Sequence, residues 1–240
     1  MSDPRLTTES PVPPVDAARP ADASSYDYFH QKEWRIESGV SQSPIDIRSA
    51  EITEAELTPD ENDAIVLHVS GQGAAVIDNG HTVQLAPVKS SATIRGRHFT
   101  LAQVHFHAPA EHTIDGLRHP LEGHYVCKAQ DGRLAVIAVL YSEGRENQEF
   151  SMLLRAVRDR SAAQLERFNA AALAPQSMSC YYHYLGSLTT PPLTENVEWY
   201  VLHDTVELSR EDIEAFQHRH TFNARDPQPL NGRPLLRYDL

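Results

Sequence analysis

Gln103-Val104-His105-Phe106-His107, followed by Glu111-His112 and then by Glu122-Gly123-His124, is the stretch on which the reading of this chain turns. Side chains two apart on a β-strand share a face, so His105 and His107 project together. His124 can join them from a neighbouring strand. Three imidazoles meeting at one point offer three neutral nitrogen ligands. A tetrahedral zinc held by three protein ligands keeps one open position, which is the catalytic form of such a site and not the closed structural form. Several metal chemistries remain open at this point.

The neighbours of these histidines support a metal. In the run His98–His107, Thr100, Ala102, Val104 and Phe106 read as one apolar face, with Gln103, His105 and His107 on the other. In Leu121–Ala129, Glu122, His124 and Val126 share a face opposite Leu121, Gly123, Tyr125 and Cys127. A row of His, Gln and Glu in an otherwise apolar sheet is costly to bury unless paired or bound to metal. A metal-bound imidazole gives its other N–H to a carboxylate or carbonyl, which fixes its tautomer. Gln103 and Glu122, each two residues before a histidine on the same face, are the candidates for that task. His30, His68, His98, His119, His203, His218 and His220 read as scattered surface histidines. An H-x-H pair followed by Glu111 also suits a cupin, in which Glu111 would be a ligand. A cupin needs a second Gly-Pro-Gly-His-Asn block, and Gly116–Lys128 has the wrong spacing for one.

Composition narrows the classes further. The chain has 240 residues, 40% of them hydrophobic, enough for a sizeable core. With 33 acidic against 21 basic residues the net charge is −12, which argues against a nucleic-acid partner. No apolar stretch approaches the ~18 residues of a membrane span. Residues 1–25 are polar, contain five prolines, and read as a disordered tail without the basic start and apolar middle of a secretory signal. Residues 26–240 read as a single domain. The two cysteines, Cys127 and Cys180, read as unpaired and largely buried thiols.

Short strand-like runs dominate: Ile65–Val69, Ala74–Asp78, His81–Leu85, His98–His107, Leu121–Ala129, Arg133–Tyr141 and Val197–His203. Asp78-Asn79-Gly80 and Asp131-Gly132 read as tight hairpin turns. Glu146–Asp159 has a helical apolar face of Phe150, Leu153, Leu154 and Val157. Ser209-Arg210-Glu211-Asp212 opens a second helix, to about His218, with the pattern of a capping box. Strands in the majority with peripheral helices make the class α+β, built on a large sheet.

From Gln42 to Leu240 the chain resembles the α-class carbonic anhydrases, and the bacterial members more than the animal ones. Five blocks carry the resemblance: Gln42–Ile47, Asp78–Val83, Gln103–His124, Leu185–Pro192 and Gln228–Arg233, in the family's order and spacing. It implies a central, mostly antiparallel sheet of about ten strands with peripheral helices. It also implies a zinc lyase that hydrates carbon dioxide reversibly to bicarbonate and a proton, by attack of zinc-bound hydroxide. His105, His107 and His124 would hold the zinc, with Gln103, Glu122 and the Asn223 carbonyl behind them. Thr189, donating to Glu111, would orient the hydroxide, and His81 would shuttle the proton. Val126, Val136, Leu188, Thr190, Val197 and Trp199 would hold the substrate. Sulfonamides and anions are the implied inhibitors, and a homodimer is an assembly the resemblance allows.

The chain also departs from the family. The cysteines of a disulfide found in many bacterial members are replaced here, at about Ile36 and at Leu193. With no visible signal, this leans toward a reducing, cytoplasmic compartment. The N-terminal Trp-x-Tyr element is eroded, with Tyr26-Asp27-Tyr28 in its place, and Cys127 stands where the family often has a histidine. The competing reading is a carbonic anhydrase-like binding protein that has lost catalysis; members of that type lack one or more zinc histidines.

Overall fold

The computed structural model describes residues 26–36, 39–54 and 64–240. The tail expected over residues 1–25 lies outside them. In chain order the strands are β1 (Asp46–Ile47), β2 (Thr53–Glu54), β3 (Ile65–His68), β4 (Ala74–Asp78), β5 (Val83–Pro87), β6 (Ser91–Ile94), β7 (Arg97–His107) and β8 (Thr113–Ile114). There follow β9 (Leu117–Arg118), β10 (Leu121–Lys128), β11 (Leu134–Glu143), β12 (Ala162–Leu165), β13 (Cys180–Ser187), β14 (Glu195–Leu202), β15 (Val206–Leu208) and β16 (Leu236–Asp239). Two α-helices, α1 (Gln148–Val157) and α2 (Arg210–Arg219), flank the sheet.

The main sheet runs in the order β12-β4-β5-β7-β10-β11-β14-β13-β16-β2, with β3, β6 and β15 paired beside this path. Most neighbours are antiparallel; β11 pairs parallel with β14 and β15, and β16 with β2. The fold is thus the expected α+β class. Strand β11 is buried on both faces, which is why it reads as an unbroken apolar run. Ala135, Ile137 and Val139 enter one core cluster with Phe150 of α1 and Phe216 of α2. Val136, Ala138 and Leu140 enter the other, with Trp199 and Tyr184.

Both helices start where their caps dictate. The Asn147 side chain accepts from the Glu149 and Phe150 amides at 3.1 and 3.2 Å. Ser209 Oγ accepts from the Asp212 amide at 3.1 Å, as the capping pattern predicts. The turn at Asp131-Gly132 also forms, closed by the Gly132 amide on Ala129 O at 3.0 Å. The other hairpin is wider than its sequence suggests. Asp78 pairs with Val83, so β5 begins at Val83 and His81 sits in the turn. There Asn79 Oδ1 accepts from the His81 and Thr82 amides, both at 2.9 Å, and takes the place of strand pairing.

The faces of β7 require a correction. Val126 lies opposite Gln103 but Cys127 lies opposite Leu101, so Ala102 is an extra, bulged residue. The bulge resets the alternation. Phe99 and Leu101 therefore share the core with Val104 and Phe106, while Thr100 and Ala102, expected on that face, are exposed. Strand β13 escapes the sequence pattern for a related reason: Tyr181, Tyr182 and Tyr184 are buried from both sides of the sheet, so no two-residue period appears.

Close packing at β13 gives a first test. A Cβ on Gly186 would collide with Ser43 Oγ and lie 2.8 Å from the Tyr184 ring and 3.0 Å from the Trp199 ring. Gly186→Ala should therefore cost about 1–3 kcal/mol through overpacking, read as a lower urea midpoint. An unchanged midpoint would contradict this packing.

Candidate metal centre

The pairing of β7 with β10 builds the site. His124 stands opposite His105, and Glu122 opposite His107. The three histidines each present one ring nitrogen, all within 4.8 Å of one another, with His107 and His124 buried and His105 partly buried. Ring centroids lie 4.9, 5.1 and 4.6 Å apart for the pairs His105–His107, His105–His124 and His107–His124.

Hydrogen bonds behind the rings set which nitrogen faces the centre. His105 Nδ1 donates to Gln103 Oε1 at 2.9 Å, and His107 Nδ1 to the Asn223 carbonyl at 2.6 Å. His124 Nε2 donates to Glu122 Oε1 at 2.8 Å. The unprotonated nitrogens are therefore Nε2 of His105, Nε2 of His107 and Nδ1 of His124. His107 Nε2 is buried with no hydrogen-bond partner among the described residues. An orphaned buried polar atom costs about 1–3 kcal/mol, and a metal ligand bond removes that cost. Burial also drives the imidazoles toward the neutral form a metal requires. It holds His105 well below the ordinary histidine range, His107 down to about 4, and His124 lower as well. Three convergent, neutral, partly orphaned imidazoles fit a zinc ion.

Glu122 is the anchor beneath the rings. Its carboxylate accepts from the Glu111 amide at 2.7 Å, the His112 amide at 2.8 Å and His112 Nδ1 at 2.6 Å, besides His124. Burial works to raise its pKa, but His112 and His124 together hold it well below the usual carboxylate range. His112 Nε2 in turn lies 2.7 Å from the Tyr184 hydroxyl, which lies 2.9 Å from Ser43 Oγ. His112, Glu122 and His124 also form a group with metal-ligand spacing. Their contacts are hydrogen bonds to one another, so this group serves as support for the first.

Glu111 is fully buried. Its Oε1 accepts from the Arg225 amide at 2.7 Å, while Oε2 lies 3.9 Å from His124 Nδ1. Burial pushes Glu111 up to about 7, against the pull of His124, the Arg225 amide and the Thr189 hydroxyl beside it. A divalent cation nearby would restore its carboxylate form. Thr189 is buried as well. His81 is half-buried at the turn, its ring stacked on Tyr26 at 4.6 Å and 13°. Tyr28 and Trp34 pack edge-on to Tyr26, at 5.8 and 5.4 Å. Val126, Val136, Leu188, Val197 and Trp199 gather in one apolar cluster, and the Trp199 ring lies 4.9 Å from His124. Thr190 is half-buried, within reach of the Tyr26 hydroxyl.

Sequence reasoning missed several members of this network. His112, Tyr184, Ser43 and Arg225 are buried, and Arg225 Nη1 donates to Gln42 Oε1 at 2.9 Å and to the Ser43 carbonyl at 2.7 Å. Tyr184 lies 72 positions from His112, and Gln42 lies 183 positions from Arg225, beyond any local pattern. His220, expected on the surface, is buried at the end of α2. Both cysteines are free, as expected, although Cys180 is only half-buried. No helix among the described residues is long and apolar enough to cross a membrane.

A β-sheet that lines three histidines, a buried carboxylate pair and an apolar wall in this way could hold a metal ion, and comparison with known proteins specifies the family. The family description "eukaryotic-type carbonic anhydrase" matches residues 27–238. A carbonic anhydrase of Pectobacterium carotovorum is 40% identical over 205 residues, covering 83% of this chain and 81% of its own length. Among solved structures, the α-carbonic anhydrase of Thermovibrio ammonificans in complex with sulfanilamide aligns with a TM-score of 0.75 at 36% identity, covering 82% of this chain and 87% of that one. A carbonic anhydrase of Chlamydomonas reinhardtii in complex with acetazolamide aligns with a TM-score of 0.78 at 28% identity, covering 89% and 99%. The chain belongs to the α-class carbonic anhydrase family. It is an enzyme of that family, whose activity is carbon dioxide hydration.

The buried imidazoles predict how the metal-free protein responds to acid. Each histidine with a depressed pKa refuses a proton that the unfolded chain accepts, so stability falls as pH drops from about 6.5 toward about 4. Glu111 acts in the opposite sense: folded, it takes up a proton as pH falls from about 7, before the unfolded chain does, and so gains stability. The His107 and Glu111 effects nearly cancel, so His105 and His124 decide the balance, which is a net loss of stability on acidification. Urea midpoints of the zinc-stripped protein across this range would measure it, and a flat profile would contradict it.

Proposed function

We propose that this enzyme is a zinc-dependent carbonic anhydrase in which His105, His107 and His124 hold the metal and His81 exports the proton. The observation that carries the reading is the convergence of three neutral ring nitrogens, one of them buried with no hydrogen-bond partner among the described residues. Zinc bound there would lower the pKa of a water to about 7 and so supply hydroxide at neutral pH, with no ligand charge to quench the ion.

The chain's own residues do the rest. Gln103, Glu122 and the Asn223 carbonyl hold the ligand rings in one tautomer. Glu111, as a carboxylate, accepts the hydrogen of the Thr189 hydroxyl. The Thr189 oxygen is then left as an acceptor for the nucleophile's hydrogen, which aims the nucleophile's lone pair at the substrate. Val126, Val136, Leu188, Val197 and Trp199 offer carbon dioxide an apolar surface free of competing hydrogen bonds, with Thr190 at its margin. His81, half-buried in its turn, accepts the departing proton and releases it to buffer. An imidazole ring can both accept and donate a proton through its nitrogens, as the two steps require. The relatives bound to sulfanilamide and acetazolamide support sulfonamide inhibition here too. The free cysteines support a reducing compartment. A non-catalytic binding role has no support in the site, since all three histidines, Glu111 and Thr189 are present.

His107→Ala should lose bound zinc and hydratase activity together; a fully active, metal-free variant would end the proposal. His81→Ala should lower kcat in dilute buffer by about tenfold to hundredfold, with kcat/KM nearly unchanged and turnover restored by added imidazole. An unchanged kcat in dilute buffer would remove His81 from this role.

A further inference from the structure

The turn that carries His81 is fastened to the end of α2 by charged groups that the mechanism above does not use. Asp78, at the end of β4, has a side chain only 9% exposed. Its carboxylate accepts from Arg219 Nε and, at 2.9 Å, from the Gly80 amide. Its Oδ1 also faces His220 Nε2 at 3.7 Å, too far for a hydrogen bond but close enough for electrostatic attraction. The Asp78 amide donates to Ser161 O at 2.7 Å, and Arg219 Nη1 donates to Arg158 O at 3.3 Å. His220 is buried, and its Nε2 has no hydrogen-bond partner among the described residues. An uncompensated polar atom beside a buried carboxylate is a costly arrangement, and it is tolerated here where α2 ends against the turn.

Within the turn, the His81 backbone is held at both of its polar groups. Its amide donates to Asn79 Oδ1 at 2.9 Å, and its carbonyl accepts from Asn223 Nδ2 at 2.8 Å. Arg219 sits in the last turn of α2, where the helix dipole favours its positive charge, and His220 follows it as the C-cap. The Asp78 contact ties the first residue of the turn to α2, and Asn223, three residues beyond His220, ties the His81 carbonyl to the same stretch of chain.

We propose that Asp78 and Arg219, with His220 packed against them, form a brace that positions His81 for proton transfer. Asp78 and Arg219 are positioning residues: they touch neither substrate nor metal and act only through the backbone of the turn. Loosening the brace lets the imidazole wander from its place against Tyr26 and slows proton export, while the hydration step is untouched. The inference rests on the proposed role of His81.

The test uses the zinc-loaded, full-length enzyme. Arg219→Met should lower kcat in dilute buffer about tenfold, with kcat/KM and bound zinc unchanged, because misplacing a transfer group acts only on the step that uses it. Free imidazole should restore the loss, and Arg219→Lys should retain most of the parent rate. Asp78→Asn carries the same expectation should Arg219→Met fail to fold. In the background of His81→Ala, Arg219→Met should add no further loss. If His81→Ala slows turnover but neither brace variant does, the brace is overturned and the shuttle stands. If His81→Ala has no effect, the shuttle itself fails. An equal fall in kcat/KM, or a loss that imidazole cannot restore, would assign the brace a structural role alone and overturn the proposal.

Discussion

The register between β7 and β10 is the constraint from which the site follows. Side chains on a strand alternate, so a slip of one residue would move His105 and His107 to the core face and Val104 and Phe106 into the cleft. The bulge at Ala102 keeps both demands compatible: Phe99 and Leu101 remain in the core on one side of it, and the histidines remain in the cleft on the other. The core thereby selects the register, and the register places His124 opposite His105. Metal-site geometry is in this sense a by-product of hydrophobic burial.

Burial then acts on the electrostatics in two directions. It keeps the imidazoles neutral, which is the form that binds a metal, and it raises the cost of every polar atom left unpaired. Glu122 answers most of that cost through four donors from three residues, two of them main-chain amides in the Glu111-His112 segment. The same amides seat Glu111, so the group beneath His124 and the group beside Thr189 are held by one carboxylate. Removing that carboxylate would disturb both.

Much of the fold and the centre of the site was legible in the sequence because the evidence was local. His105 and His107 two apart, Glu122 and His124 two apart, and the Ser209 capping pattern all rest on short-range periodicity. The supporting layer was not. Arg225 reaching Gln42, His112 reaching Tyr184 and Arg219 reaching Asp78 join positions that no window contains. The bulge at Ala102 was hidden for a different reason: one inserted residue breaks a two-residue period without leaving any composition signal. His220 reads as a surface residue because it lies beyond the helix end expected at about His218, yet it continues the buried face of Ile213 and Phe216, with its ring 5.1 Å from that of Phe216. Tyr26 shows the converse. The Tyr26-Asp27-Tyr28 segment places a flat ring against His81, a contact that the residue pattern did not foretell.

Asn223 engages each of its polar groups with other parts of the chain. Its carbonyl takes His107, its side-chain oxygen takes the Ala108 amide, and its side-chain nitrogen serves the carbonyls of His81 and Phe106. It lies 116 positions after His107. A chain emerging from the ribosome therefore carries all three histidines long before the residue that orients one of them. His107 is thus fully oriented only once the segment around Asn223 has docked, which couples the ordering of the three-histidine cluster to completion of the fold.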